Sequence, residues 1–456
     1  MNIRNLFMLS VALEQIVFLY LNLFSIPILG ARLIQLLVIF YIIIFKPKLI
    51  SIDLRQINKI SFYFFIFIFL GLIVAIYNLI TGGYLRAFLQ DVDLNVFFND
   101  VLFRILRETG VYLYFFFTFV FLFNKIINTP ELLKDFFVLF RKVFLLSIYI
   151  GFALYLYYFI YETNLLPRQL NYGFENLSDI RLGLRFKGLF GEPRDAAVCL
   201  MIGLGILTFE QIHLMNFRSI SSFQNTYIFN TIIIFIAIIL TNSGTALIAI
   251  SIFFIIYSIS MFFFIKINLR TTIILIVGIL LFILILSGSR AEIYYNEILN
   301  LPLLMSSKIN QNVVIAYQLN NILPIWLIYE NLISLNIFPV LLGNGFGSSA
   351  YISYAHLGTN YTSAFENPHA QLTRIIFENG LLGSLLWYLF YLVPLLRFRN
   401  ILSRKYFIIL FSISTLSFSA ILAHRNPEMF LLLGVIISVF KQYNENQTHL
   451  KDQDYY

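Results

Sequence analysis

Apolar residues fill the chain in long blocks, and short polar breaks separate them. The blocks are too long and too uniformly apolar for the amphipathic helices of a soluble fold. A membrane-crossing helix needs roughly 20 mostly apolar residues, within about 17–25. Blocks of that kind fall near 6–24, 27–45, 60–80, 109–127, 142–161, 191–212, 226–241, 245–265, 271–287, 380–396, 406–423 and 427–440, the last of them short. The pattern predicts an all-α polytopic integral membrane protein of about twelve spans, forming a single membrane domain over 1–456.

The polar breaks alternate in charge. Lys46, Lys48, Arg55 and Lys59 follow the second block, and Lys125, Lys134, Arg141 and Lys142 flank the exit of the fourth. Arg218 follows the sixth, Lys266 and Arg270 the eighth, and Arg397, Arg399, Arg404 and Lys405 the tenth. Basic short loops mark the cytoplasmic side, so both termini are expected there. The odd exits are mixed in charge and are expected outside: 81–108, 162–190, the turn at Asn242-Ser-Gly244, 288–379, and His424-Arg425-Asn426. Segment 288–379, between spans nine and ten, is the large extracytoplasmic loop. A connection of that length is seldom a mere linker. Val313–Leu335 within it is amphipathic or apolar but interrupted by Pro324, which reads as lid or interfacial helices rather than another span. The first apolar block lacks a clear cleavage site and reads as the first span. Residues 441–456 are polar and read as a disordered cytoplasmic tail.

Composition agrees. The chain is 60% hydrophobic and 12% charged, with mean hydropathy +0.84, whereas soluble domains carry about 25% charged residues. The net charge of +8 follows from the basic loops and does not call for nucleic acid. Cys199 is the only cysteine, which excludes an internal disulfide and a thiolate metal cluster. Five histidines are scattered at 213, 356, 369, 424 and 449, so neither a metal site nor a cofactor is expected. Gly343-Asn-Gly-Phe-Gly347 lacks the Lys-Ser/Thr ending of a nucleotide loop and reads as a flexible turn near the site.

The candidate chemistry sits at helix starts on the expected outer side. The sixth span opens Gly191-Glu-Pro-Arg-Asp195, the helix into the tenth opens Glu366-Asn-Pro-His369, and the twelfth opens His424-Arg-Asn-Pro427. Each has Pro at the first helical position, with Glu192, Asn367 or Asn426 as cap. Pro is ordinary there, and Arg at an interface is often an anchor. Three such starts on one side, each with a cation or imidazole nearby, suit a polyanion better. Free N–H groups and the positive dipole end attract phosphate, and Arg binds it in bidentate fashion. Arg185, Arg194, Arg290 and Arg425 are the expected pyrophosphate ligands. Arg290 has an even alternative as an interfacial anchor, and Arg425 as part of a solvated turn. Glu192 and His369 are the catalytic candidates. Glu192 and Asp195 serve equally well to orient the arginines, and His369 is either a general base at a helix N-terminus or a capping residue.

Arg185-Phe-Lys-Gly-Leu-Phe-Gly-Glu-Pro193 with Ala196-Ala197, Leu240-Thr-Asn-Ser-Gly-Thr-Ala246, Gly343–Gly347, and the helix from His369 to Gly380 followed by Leu381-Leu-Gly-Ser384 together resemble the O-antigen polymerase and ligase superfamily. The resemblance covers roughly 180–390. Each motif is loose, and their order and sidedness carry the likeness. It implies metal-independent, inverting glycosyl transfer from an undecaprenyl-pyrophosphate-linked oligosaccharide, at the periplasmic face of the bacterial inner membrane. The pyrophosphate-binding role falls on Arg185, Arg194 and Arg290, and the catalytic histidine of the ligase branch on His369. Ser243-Gly244 stands where the family commonly has Ser-Arg, so one phosphate ligand is missing or replaced by Arg290 or Arg425. The reading is a polymerase of O-antigen or capsular repeats, with membrane lipid and a polysaccharide chain-length regulator as partners. An O-antigen ligase is the alternative within the family. A lipid-linked oligosaccharide flippase is the alternative from another class, but it should show two similar halves and polar groups near mid-membrane.

Overall fold

The computed structural model describes residues 3–14, 16, 20–23, 26–47, 59–81, 94–161, 186–190, 193–215, 221–241, 328–329, 331–351, 371–400, 407, 411–412, 414 and 427–453. Helices dominate them. In chain order they are α1 (Ile3–Ala12), α2 (Gly30–Phe45), α3 (Lys59–Thr81), α4 (Leu94–Phe115), α5 (Pro130–Tyr161), α6 (Pro193–Met215), α7 (Ser221–Leu240), α8 (Ile337–Leu342), α9 (Gln371–Arg397) and α10 (Glu428–Gln453). Four segments are long and apolar enough to cross a membrane: Ser61–Thr81, Leu102–Ile126, Pro130–Tyr161 and Thr373–Arg397. Their outer faces carry large apolar side chains in the open, such as Phe69 at 65% and Phe159 at 69% exposure. Water does not tolerate such surfaces over whole helices, and lipid does. The protein is membrane-embedded and helical.

Expected spans at 60–80, 191–212 and 226–241 coincide with α3, α6 and α7, and that at 142–161 is the later part of α5. Those at 245–265 and 271–287, and most of 406–423, lie outside the described residues. Four elements differ from the expectation. Helix α1 ends at Ala12, and two short strands follow, β1 (Tyr20–Leu23) and β2 (Ile26–Leu29), paired antiparallel with Tyr20 opposite Leu29. Polar Glu14 and Gln15 interrupt the first apolar block, and Pro27 keeps α2 from starting before Gly30. Among the described residues the all-α expectation therefore holds apart from this ribbon.

Helix α4 starts at Leu94, so Arg104, Arg107 and Glu108 are helical rather than part of an outer loop. It continues through a π-helical stretch, Phe116–Leu122, into a last turn, Phe123–Ile126. The widened stretch alters the local hydrogen bonding. Here Asn124 donates to Val120 O at 2.7 Å and to Gly434 O of α10 at 3.3 Å, and Ser438 donates to Asn124 Oδ1 at 2.8 Å.

The third difference is α5, which begins at Pro130, so Lys134, Arg141 and Lys142 are helical rather than loop residues. Helix α9 breaks at Gly380 (φ 64°, ψ −169°), where the expected helix from His369 meets the expected span at 380–396. The fourth is the tail: α10 runs on to Gln453, past the expected disordered start at 441. Lys, Gln, Glu and Leu, with no Gly or Pro, favour that continuation.

The core is aromatic. Phe64 stacks on Phe116 with centroids 4.4 Å apart, and Trp387 meets Phe67, Tyr112 and Phe430 at 5.1, 5.8 and 6.1 Å. These rings join α3, α4, α9 and α10 into one body, in offset and edge-on geometries suited to their quadrupoles.

Candidate functional site

Ionisable side chains inside an apolar bundle are costly and usually functional. The described residues bury two groups of them at one end, where α1 finishes and α2 begins.

The first group surrounds the break in α9. Arg374 is fully buried and forms ion pairs with Glu108 of α4 and with Glu378 one turn along α9, the latter at 3.1 Å. Glu378 Oε1 accepts from the Ser349 hydroxyl at 2.6 Å. Glu108 Oε1 has no hydrogen-bond partner among the described residues. The loop carrying Ser349 is anchored to the break itself. Interrupting α9 at Gly380 frees carbonyls that would otherwise bond the next turn. Phe377 O accepts from Asn344 N at 3.0 Å and from Asn344 Nδ2 at 3.2 Å, and Glu378 O accepts from Gly345 N at 2.6 Å. Asn78 of α3 donates to Asn344 O at 2.9 Å. Gly343 and Gly345 have φ of +79° and +89°, and a Cβ on either would strike the backbone of Glu378 or Ala75. Only glycine fits both the conformation and the gap. The Gly343–Gly347 turn, read from sequence as flexible, is instead clamped between α3 and α9.

The second group lies where α1, α2, α4, α6 and α10 meet. Glu14 pairs with Arg32 at 2.7 Å and accepts from Gln35 at 2.8 Å, and Tyr114 donates to Gln35 Oε1 at 2.7 Å. Glu428, the first residue of α10, receives the Cys199 thiol of α6 at 3.7 Å; its other oxygen, Oε2, has no hydrogen-bond partner among the described residues. Glu14, Arg32 and Asp195 are all within electrostatic reach of Glu428. Tyr114 and Glu108 stand six residues apart on α4, about 9 Å along the axis, so the two groups are neighbours.

A third contact belongs to the same end. Phe186 N donates to Leu240 O at 2.8 Å, joining the start of the 186–190 turn to the end of α7. Phe186 packs on Phe152 at 5.1 Å, and Gly188 lies against Gly151 of α5. Burial of Lys187 in this turn pushes its ammonium down to about 8.

Of the residues singled out from sequence, Arg185, Glu192, Arg290, His369 and Arg425 lie outside the described residues. Arg194 is the second residue of α6, but its side chain lies outside them as well. Their described neighbours are informative. The start of α10 packs against the second turn of α6 through Glu428 and Cys199. Sequence reasoning passed over Arg374, Glu108, Glu378, Glu14, Arg32 and Glu428. The available signal was charge inside apolar blocks, with Arg374 and Glu378 at i, i+4. Among the described residues no cluster of His, Cys, Asp and Glu has the makings of a metal site. No protein-family model matches the chain, and no curated protein matches it.

Proposed function

We propose that the chain is a glycosyltransferase that extends O-antigen or capsular repeats, taking oligosaccharide from an undecaprenyl-pyrophosphate carrier at the periplasmic side. The single observation that carries this reading is the packing of the α10 start on the second turn of α6, through Glu428 and Cys199. Arg194 is the second residue of α6, and Arg425 stands three residues before α10. Two positive dipole ends with arginines attached form a cradle for a diphosphate. The carboxylates of Glu428, Asp195 and Glu14 repel an anion, so their role is to orient the arginines rather than to touch it.

In the reaction, an acceptor hydroxyl attacks the anomeric carbon of the donor sugar from the side opposite the pyrophosphate. The new C–O bond forms as the bond to the pyrophosphate oxygen breaks, which inverts the centre. The hydroxyl proton passes to His369 or Glu192 as general base. The lipid pyrophosphate leaves with its charge held by Arg185, Arg194, Arg290 and Arg425.

The test is removal of the protein from its host, followed by electrophoresis of surface polysaccharide. Glycolipid bearing a single repeat is the expected result. Polymer retained on the lipid carrier points to a ligase, and repeats trapped inside point to a flippase. Restoring the gene with Arg185→Ala, Arg194→Ala or Arg425→Ala should fail to restore polymer. Full activity in all three variants sinks the cradle.

A further inference from the structure

The opposite end of the bundle carries a cavity of about 440 Å³, far from both ionic groups. Three elements line it: Ile3 and Arg4 of α1, Ile42 and Phe45 with the following Lys46 and Pro47 at the end of α2, and Lys125 and Ile126 in the last turn of α4. Among the described lining residues three are cations, Arg4, Lys46 and Lys125, the rest are apolar, and none is a carboxylate. Lys125 is held over the Phe121 ring, 5.8 Å from its centroid. Lys46 N closes the last turn of α2 on Ile42 O at 2.9 Å, which fixes where its side chain leaves the helix. Ile42 is 1% exposed and Ile126 6%, so the apolar lining is packed protein.

We propose that this cavity is a binding site for an anionic diacyl phospholipid of the adjoining leaflet. The phosphate sits among Arg4, Lys46 and Lys125, and the first carbons of the acyl chains lie on Phe45, Ile42 and Ile3. Two observations choose lipid over a soluble phosphate. The cavity is mostly apolar, which a hydrated inorganic ion cannot use. It also opens onto an exposed apolar stripe of α2, where Phe40 is 63%, Ile44 51% and Phe45 67% exposed. That stripe continues the path of an acyl chain along the bundle. The carbonyl ends of α2 and α4 point here and oppose an anion, but only as partial charges confined to their last turns. Arg4, Lys46 and Lys125 bring three full positive charges to the same space, and each attracts an anionic headgroup. Attraction therefore exceeds repulsion.

The test uses the full chain purified in a zwitterionic detergent and titrated with phosphatidylglycerol or phosphatidylcholine, with retained lipid counted by native mass spectrometry. The unmodified protein should retain phosphatidylglycerol at least tenfold more tightly than phosphatidylcholine. Combined Arg4→Gln, Lys46→Gln and Lys125→Gln should erase that preference, while Lys142→Gln, an exposed cation of α5 outside the cavity, should leave it intact. Size-exclusion profiles of both variants guard against misfolding, and Ile42→Trp, which fills the cavity without removing charge, should weaken binding as well. Equal retention of the two lipids, an unchanged preference in the triple variant, or competition by millimolar inorganic phosphate as strong as by lipid overturns the proposal.

Discussion

Arg374 Nε lies 3.1 Å from Glu378 Oε2, one turn further along α9, and the same guanidinium closes on Glu108 of α4. One cation thus holds two carboxylates from two helices where water does not reach. Such pairs add little over an apolar substitute, but breaking one end strands a charge, at about 3–5 kcal/mol.

The first expectation follows from that asymmetry. Arg374→Ala should destabilise the protein most, Glu108→Gln less, and the double change Glu108→Gln with Arg374→Met should recover part of the loss. Thermal midpoints in detergent read all three. An Arg374→Ala midpoint within error of the parent contradicts the burial of this group.

Two glycines give opposite outcomes. Gly345 has φ +89° with the Ala75 backbone against it, so Gly345→Ala combines backbone strain with a clash and should cost well over about 1 kcal/mol. Gly110 sits within α4 with no described residue inside 4 Å of a would-be Cβ. Gly110→Ala should stabilise by about 0.5–1 kcal/mol through helix propensity. The same midpoint measurement checks both, and equal effects from the two refute the clamp.

Lys187 gives a pH-dependent outcome. Burial brings its folded value down to about 8 from an ordinary 10.5. The folded state therefore binds fewer protons than the unfolded state between those values, and stability rises with pH across that window. The penalty is fully present below pH 8. Lys187→Met should flatten the rise. Lys187 should also react with amine-acylating reagents at pH 8 faster than the exposed lysines do, as peptide mapping would reveal.

Cys199 is 3% exposed, and the chain has no other cysteine. Maleimide should leave the native protein unlabelled and label it stoichiometrically in denaturant. Single cysteines introduced at 185, 194 and 369 then report on sidedness without background. All three should label from the periplasmic side, and labelling from opposite sides removes the shared pocket.

Much of the fold was legible because membrane length and apolar composition are local properties. Helices α3, α6 and α7 lie close to where the blocks of apolar residues put them, and Pro193 opens α6 as its position suggests. The position of the break in α9 was legible, at the start of the 380–396 block, but what holds it was not. Gly380 ends regular bonding only because Asn344 and Gly345, more than thirty residues earlier, receive the freed carbonyls. No window of sequence contains both partners. Glu108 was misplaced for a related reason. Beside Arg104 and Arg107 it resembles a loop charge, and only Arg374 on another helix accounts for its burial. The chemistry was legible as a class of residue at a class of position, arginines beside proline-led helix starts. The carboxylates behind those starts, Glu14 and Glu428, became visible only when the helices were brought together.

The interruption at Gly380 has a mechanical meaning. Residues 371–379 hand two of their carbonyls to the 343–345 strap instead of to the membrane-crossing portion beyond the break. Strap and upper helix are therefore yoked, and any tilt of one carries the other along. Such a tilt would also pull on Asn78 and Ser349, so events at the mouth of the bundle would travel down α3 as a rigid-body displacement.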